Sequence, residues 1–166
     1  MAMTLTEPKD NPGVIAPPPL LALGVVVIGI TLDWLAPAYV LTILLSFEER
    51  LVIGVILVAA GLGLALPAIA VFRSAGTHIE PWKPSTALVT QGIFAWLRNP
   101  MYVGAILMLA GMAILLASDW MLVMTFVFVL VIHFGVVLRE EIYLNSKFGE
   151  AYRQYRANVP RYGLRI

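Results

Sequence analysis

Apolar positions fall along this chain in long blocks separated by short polar breaks. Leu20 to about Ala36 is charged only at Asp33, and Leu51 to Phe72 and Met101 to Ala117 carry no charge. Trp120 to Leu138 is interrupted only by Thr125 and His133. At a helical rise of ~1.5 Å per residue these blocks extend roughly 25 to 33 Å, close to the thickness of a bilayer core. The pattern predicts an all-α, integral membrane helical bundle with four transmembrane helices over residues 20–138. Gly24, Gly29, Gly54, Gly61 and Gly63 offer close helix contact, within one chain or in a homo-oligomer.

The breaks have their own content. Residues 1–19 hold Glu7, Lys9, Asp10 and the run Pro17, Pro18, Pro19, which reads as a short flexible lead. The apolar block after it is too long and starts too late for a cleaved signal peptide. Asp33 fits either an ionised group near the far interface or a buried polar contact. Pro37 ends or kinks the first span, and Ala38 to Phe47 suits either its extension or an interfacial segment. Glu48, Glu49 and Arg50 mark water, and Pro67 is expected to bend the second span.

Residues 73–99 form a long polar connection with Arg73, His78, Glu80 and Lys83, amphipathic from Thr86 to Leu97. Long connections in compact folds are more often functional than decorative. Asn99 suits the N-cap and Pro100 the first position of the third span. Ser118 and Asp119 make a tight turn, so the last two spans form an antiparallel hairpin. Beyond Leu138, residues 139–166 form a charged tail in which Arg139 to Asn158 reads as an amphipathic helix ended by Val159 and Pro160.

Composition sharpens this picture. The chain is 60% hydrophobic and 13% charged, outside the range of a soluble domain, and its 166 residues leave little for one. Ten of the eleven basic residues lie in the lead, the connection and the tail, with Arg50 alone on the other side. The positive-inside rule therefore puts both termini and the connection in the cytoplasm. The basic residues are accounted for by orientation and give no reason to expect nucleic acid as a partner. The chain has no cysteine, which excludes thiolate chemistry and disulfides, and its two histidines stand far apart. Nothing resembles a metal-ligand run or a Gly-rich phosphate loop.

Chemistry gathers at the cytoplasmic ends. Glu141, Leu144, Phe148, Tyr152 and Tyr155 recur at helical spacing along one face of the tail. Arg139, Glu140 and Glu141 end the fourth span, either as a solvated helix end or as an active group. His133, inside that span, is either a functional residue or one bonded to a backbone carbonyl.

The run from Ala87 to Gly104, with Leu88, Val89, Thr90, Gly92, Phe94, Arg98, Asn99, Pro100, Tyr102 and Gly104, resembles the signature of the isoprenylcysteine carboxyl methyltransferase and phospholipid methyltransferase superfamily. A second block agrees: Glu140, Glu141, Phe148, Gly149, Tyr152, Tyr155, Val159, Pro160 and Arg161. Asn99 replaces the histidine of eukaryotic members, and Phe94 replaces a common tyrosine. Asn keeps hydrogen-bonding capacity but does not titrate.

The resemblance implies an integral-membrane methyltransferase of the cell's inner membrane, using S-adenosylmethionine and acting on a lipid-like or small apolar acceptor. It implies that Leu88, Val89, Gly92, Arg98, Asn99, Pro100, Tyr102, Gly104, Glu140, Glu141 and Tyr152 form the cofactor site, completed by the tail. Within it, Glu140 or Glu141 accepts from the donor's ammonium or ribose, Arg98 pairs with its carboxylate, and the backbone near Leu88 and Val89 reads the adenine edge. Arg139, Glu140 and Glu141 are the expected catalytic residues, Arg139 holding a carboxylate acceptor and a glutamate taking a proton from an amine or thiol. The acceptor is expected to arrive sideways between the third and fourth spans. The alternative is an NADPH-dependent membrane reductase of the steroid-reductase type, which shares the arginine, proline and tyrosine block. That family places an acidic residue after the glycine, where this chain has Ala105.

Overall fold

The computed structural model describes residues 10–163, and among them every regular element is helical. Helix α1, Pro18–Leu35, opens with prolines in its first turn, where a missing N–H removes no helical bond. The stretch after Pro37 becomes a single short helix, α2, Val40–Leu44. Helix α3, Phe47–Ser74, starts at a capping box in which Glu49 N donates to Ser46 Oγ and Ser46 N to Glu49 Oε2. It continues past Pro67 to Ser74.

Helix α4 spans Pro100–Leu115 and α5 spans Asp119–Ile132, with Ser118 Oγ capping α5 through Met121 N. The chain then passes through one π turn, His133–Val137, directly into α6, Leu138–Asn158. The fourth apolar block and the first part of the amphipathic tail are thus one continuous rod as far as Phe148, where the charge jump at Leu138 suggested two elements; the helix then breaks at Gly149. The apolar part of this rod ends at Leu138, and charged residues begin at Arg139.

The structure fills in one stretch and corrects one local expectation. Thr86 to Leu97 forms no helix beyond a 3-10 turn at Gly92–Ala95; its apolar spacing serves to bury Phe94 and Leu97 from an irregular backbone. Asn99 occupies the N-cap position of α4 but its side chain makes no cap; Nδ2 donates instead to Arg161 O at 3.2 Å.

Helices α1, α3 and the α5–α6 rod are each long and apolar enough to cross a membrane, and α4 is a shorter apolar helix. With the outward-facing Leu, Ile, Val and Phe side chains along them, this is the build of an integral membrane protein. Inside the bundle, α3 lies along α4 at glycine contacts. A Cβ on Gly61 would stand 2.5 Å from Gly104 O, and one on Gly111 would stand 2.8 Å from Gly54 O. Gly29 lets α1 reach the Met121 backbone on α5. Gly24 and Gly63 meet no neighbour. The core between these helices is Val25, Tyr102, Leu109, Ala113, Met121, Phe128, Ile132, Val136 and Val137.

The ends of the bundle are tied differently. At one end Asp33 accepts from Ser118 Oγ and from Trp120 N, and Trp120 Nε1 donates to Ala36 O at 2.7 Å. Asp119 accepts from Val40 N at 2.8 Å and Leu41 N at 2.9 Å, fixing α2. Asp33 is half-buried near the end of α1, so it makes an intramolecular contact from a position at the bundle end. At the other end Ile15 N donates to Gly135 O at 3.2 Å, and Phe94 stacks edge-on against Phe72 at 5.2 Å. The start of α1, the end of α3, the start of α4 and the end of α5 therefore meet there.

Candidate active site

At that second end, the start of α4 and the start of α6 face each other. Arg98, buried just before α4, is held by its backbone and its side chain together. Its N–H donates to Pro160 O at 3.0 Å and Nε to Val159 O at 3.0 Å. Its Nη1 donates to Glu141 Oε1 at 2.7 Å and Tyr152 OH at 3.3 Å. Arg161 completes the group from the far side, Nε to Glu141 Oε1 at 2.8 Å and Nη2 to Oε2 at 2.7 Å. One buried carboxylate thus joins two guanidiniums. Burial pushes the Glu141 carboxyl up, but the Arg161 bond and the charges of Arg98, Arg161 and Arg156 outweigh it and hold it below its ordinary value.

Glu140, one residue earlier, is turned about 100° around the helix and meets a different setting. Its Oε1 accepts from Tyr102 OH at 2.9 Å, and among the described residues it has no cationic partner. Burial raises its carboxyl to about 7, with the Tyr102 bond opposing and the Glu141 charge adding to the rise. Adjacent glutamates therefore divide into a fixed anion and a group that titrates near neutrality.

The chain beyond them turns back onto the site. The backbone leaves helical geometry at Gly149, φ 53° and ψ −123°, a conformation that needs glycine. The segment after it brings Tyr152 against Arg98 and places Tyr155 OH on Phe94 O at 2.7 Å. Burial raises both phenols above their ordinary range, so they remain neutral, Tyr152 accepting from Arg98 and Tyr155 donating to Phe94 O.

These residues border a cavity enclosing about 810 Å³ of non-protein space, its open mouth included. Val89, Arg98, Asn99, Pro100, Tyr102, Glu140, Glu141 and Tyr152 all line it. Leu88, Gly92, Gly104 and Arg139 stand outside the lining. Leu88 is half-buried. Gly92 takes φ 59° at the 3-10 turn, where a Cβ would crowd Val71, and Gly104 is a packing contact for Gly61. Arg139 is exposed and donates to Gly13 O at 2.8 Å.

Other lining groups had no role in the sequence reading. His78 and Glu80 stand at the wall, where Glu80 pairs with Lys83 at 2.7 Å. Tyr143 joins three segments at one phenol: it accepts from Ser85 N and Lys147 Nζ and donates to Asp10. Arg161, which pairs with Glu141 from outside the lining, carried only its place after Val159 and Pro160. His133 bonds Tyr162 OH through Nδ1 at 2.8 Å and does not border the cavity. Among the described residues no group of histidines and carboxylates could hold a metal ion.

Comparison with known proteins gives this geometry its context. A family model for phospholipid methyltransferase matches residues 49–151. Protein-S-isoprenylcysteine O-methyltransferase of Schizosaccharomyces pombe is 43% identical over 76 residues, covering 44% of this chain and 31% of that protein. The chain thus spans under a third of that relative's length. An uncharacterized protein of Haemophilus influenzae is 37% identical over 62 residues, 37% of this chain and 98% of its own. No solved structure gives a significant match. The family model covers both the Arg98 to Gly104 block and the paired glutamates, and the chain belongs to the phospholipid methyltransferase family.

Proposed function

We propose that the protein is an S-adenosylmethionine-dependent integral-membrane methyltransferase acting on a lipid-like or small apolar acceptor. The observation that carries this reading is the split pair of glutamates. Glu141 is shared between Arg98 and Arg161, which leaves one guanidinium charge in surplus, while Glu140 faces the cavity bonded to a phenol and, among the described residues, to no cation. A zwitterionic donor that brings a carboxylate as well as an ammonium and a sulfonium fits that division, its carboxylate toward the guanidiniums and its cationic groups toward Glu140. When bound, S-adenosylmethionine supplies an activated methyl group on sulfur. The family match favours this donor over the nicotinamide of the reductase alternative.

The chain's own residues have positioning and desolvating roles. Glu140 binds the donor's ammonium or accepts a proton from an acceptor that carries one, and Arg98 lies within reach of the donor's carboxylate. Tyr102 and Tyr152 wall the cavity, excluding water from a displacement whose charge disappears as it proceeds. Arg139 holds an acceptor carboxylate after leaving Gly13 O. An oxygen acceptor accords with the S. pombe relative, named as an O-methyltransferase of isoprenylcysteine.

In the membrane, four spans account best for the ends of the bundle. Helix α4, with 16 residues, runs from the cavity end to the Ser118 turn, and α5 with the π turn after it returns over the same distance. Both termini and the connection then lie on the cytoplasmic side, with the site at that surface and the acceptor arriving sideways between α4 and α5.

Calorimetry of the purified protein in nanodiscs with S-adenosylmethionine tests the donor. The expected result is saturable heat that Glu141→Ala abolishes; no heat from the wild type would end the proposal. Mass spectrometry of products from labelled donor with N-acetyl-S-geranyl-cysteine and N-acetyl-S-geranylgeranyl-cysteine then tests the acceptor.

A further inference from the structure

The segment before α1 lies outside the family-matched residues 49–151, yet hydrogen bonds at Asp10, Gly13 and Ile15 fasten it to the π turn and the first part of α6, beside the cavity. Asp10 accepts from Lys147 Nζ at 2.7 Å and from Tyr143 OH at 2.8 Å. Gly13 O accepts from Arg139, and Ile15 N donates to Gly135 O. The Ile15 side chain fills the notch left by the absent side chain of Gly135: a Cβ there would overlap Ile15 Cδ1 and stand 2.7 Å from Cγ1. Between these anchors Pro12 forms part of the cavity wall.

We infer that residues 10–15 are a latch on the cavity, a wall fastened through Asp10, Gly13 and Ile15 that must open for long acceptors and so selects acceptors by length. The inference rests on the methyltransferase reading. Its anchors suit reversible opening, since the Asp10–Lys147 pair is exposed and such pairs are weak. The Arg139 bond gives opening a second effect. The guanidinium proposed to hold an acceptor carboxylate is occupied by Gly13 O while the latch is shut. The acceptor therefore takes the place of a backbone carbonyl, and the cation is offered only when the wall has moved.

The chain lacks cysteine, so Val14→Cys supplies a single thiol, at a half-buried position packed on the core. Maleimide labelling of this thiol in nanodiscs reports opening without any turnover. Labelling is expected to rise about tenfold when Asp10→Ala or Gly135→Ala is added, as local opening becomes easier. In the same backgrounds without the cysteine, KM for the geranylgeranyl acceptor should fall about threefold relative to the geranyl acceptor, with kcat and donor affinity unchanged. Asp10 is exposed, so its variant keeps the test sound if Gly135→Ala misfolds. Unchanged labelling overturns the latch, and so does faster labelling with no shift in the KM ratio. Absence of donor binding by the wild type overturns the methyltransferase reading and this inference together, whereas donor binding without the KM shift overturns the latch alone.

Discussion

Carboxylates close both ends of this bundle, and they do so by different means. At the Ser118 end, Asp33 and Asp119 take their hydrogen bonds largely from backbone N–H groups at helix starts, Trp120 N for one and Val40 N and Leu41 N for the other. At the cavity end, Glu140 and Glu141 take theirs from side chains, a phenol for one and two guanidiniums for the other. A backbone donor is fixed by the fold and serves as a clip. A side-chain donor can be exchanged for a ligand, and the second end borders a cavity that offers space for one.

The contrast is broken or sharpened most strongly by Glu141→Ala. Removing this carboxylate strands Arg98 in a buried site, a loss of about 3 kcal/mol in unfolding stability together with loss of donor binding. Thermal unfolding and calorimetry in one detergent read both. Asp119→Ala should cost about 1 kcal/mol by uncapping α2 and leave donor affinity intact. Equal damage to donor binding from both would erase the distinction between the ends.

A pH series gives a smaller effect. The Glu140 carboxyl in the folded protein titrates near 7, above its ordinary 4.5, so the folded state binds the extra proton between those values. Stability contributed by this group is therefore full below about 4.5, declines as pH rises toward about 7, and is flat beyond. Glu140→Gln should remove that slope in unfolding curves measured from acid to neutral pH. Glu141 acts with the opposite sign, its contribution present above its ordinary value and lost only in stronger acid. The smallest expected change is Tyr102→Phe. Deleting the bond that holds Glu140 down moves the Glu140 titration to higher pH, visible as a displaced limb in the rate profile with the fold unchanged.

The apolar blocks were legible because lipid demands uninterrupted runs, and the helices fall close to them. Arg98, Tyr102, Glu140 and Glu141 were legible as types of residue at helix ends. Their division of labour was not, because it depends on Arg161 and on which way each glutamate faces. The latch was equally hidden: Asp10 and Lys147 are 137 residues apart, and no local pattern links them. Thr86 to Leu97 was legible as amphipathic but not in its backbone. Gly92 at positive φ and burial of Phe94 and Leu97 satisfy its apolar spacing without helical backbone.

The π turn at His133–Val137 sets the phase of everything after it. Such a turn stores one residue beyond the α-helical count, and one residue is about 100° of rotation. The lipid-embedded stretch and the pocket-forming stretch of the same rod can thus be tuned independently, like two sections of a shaft joined by an adjustable coupling. Evolution could re-aim the glutamates toward a different acceptor by altering that coupling while every lipid-facing side chain stays where it is.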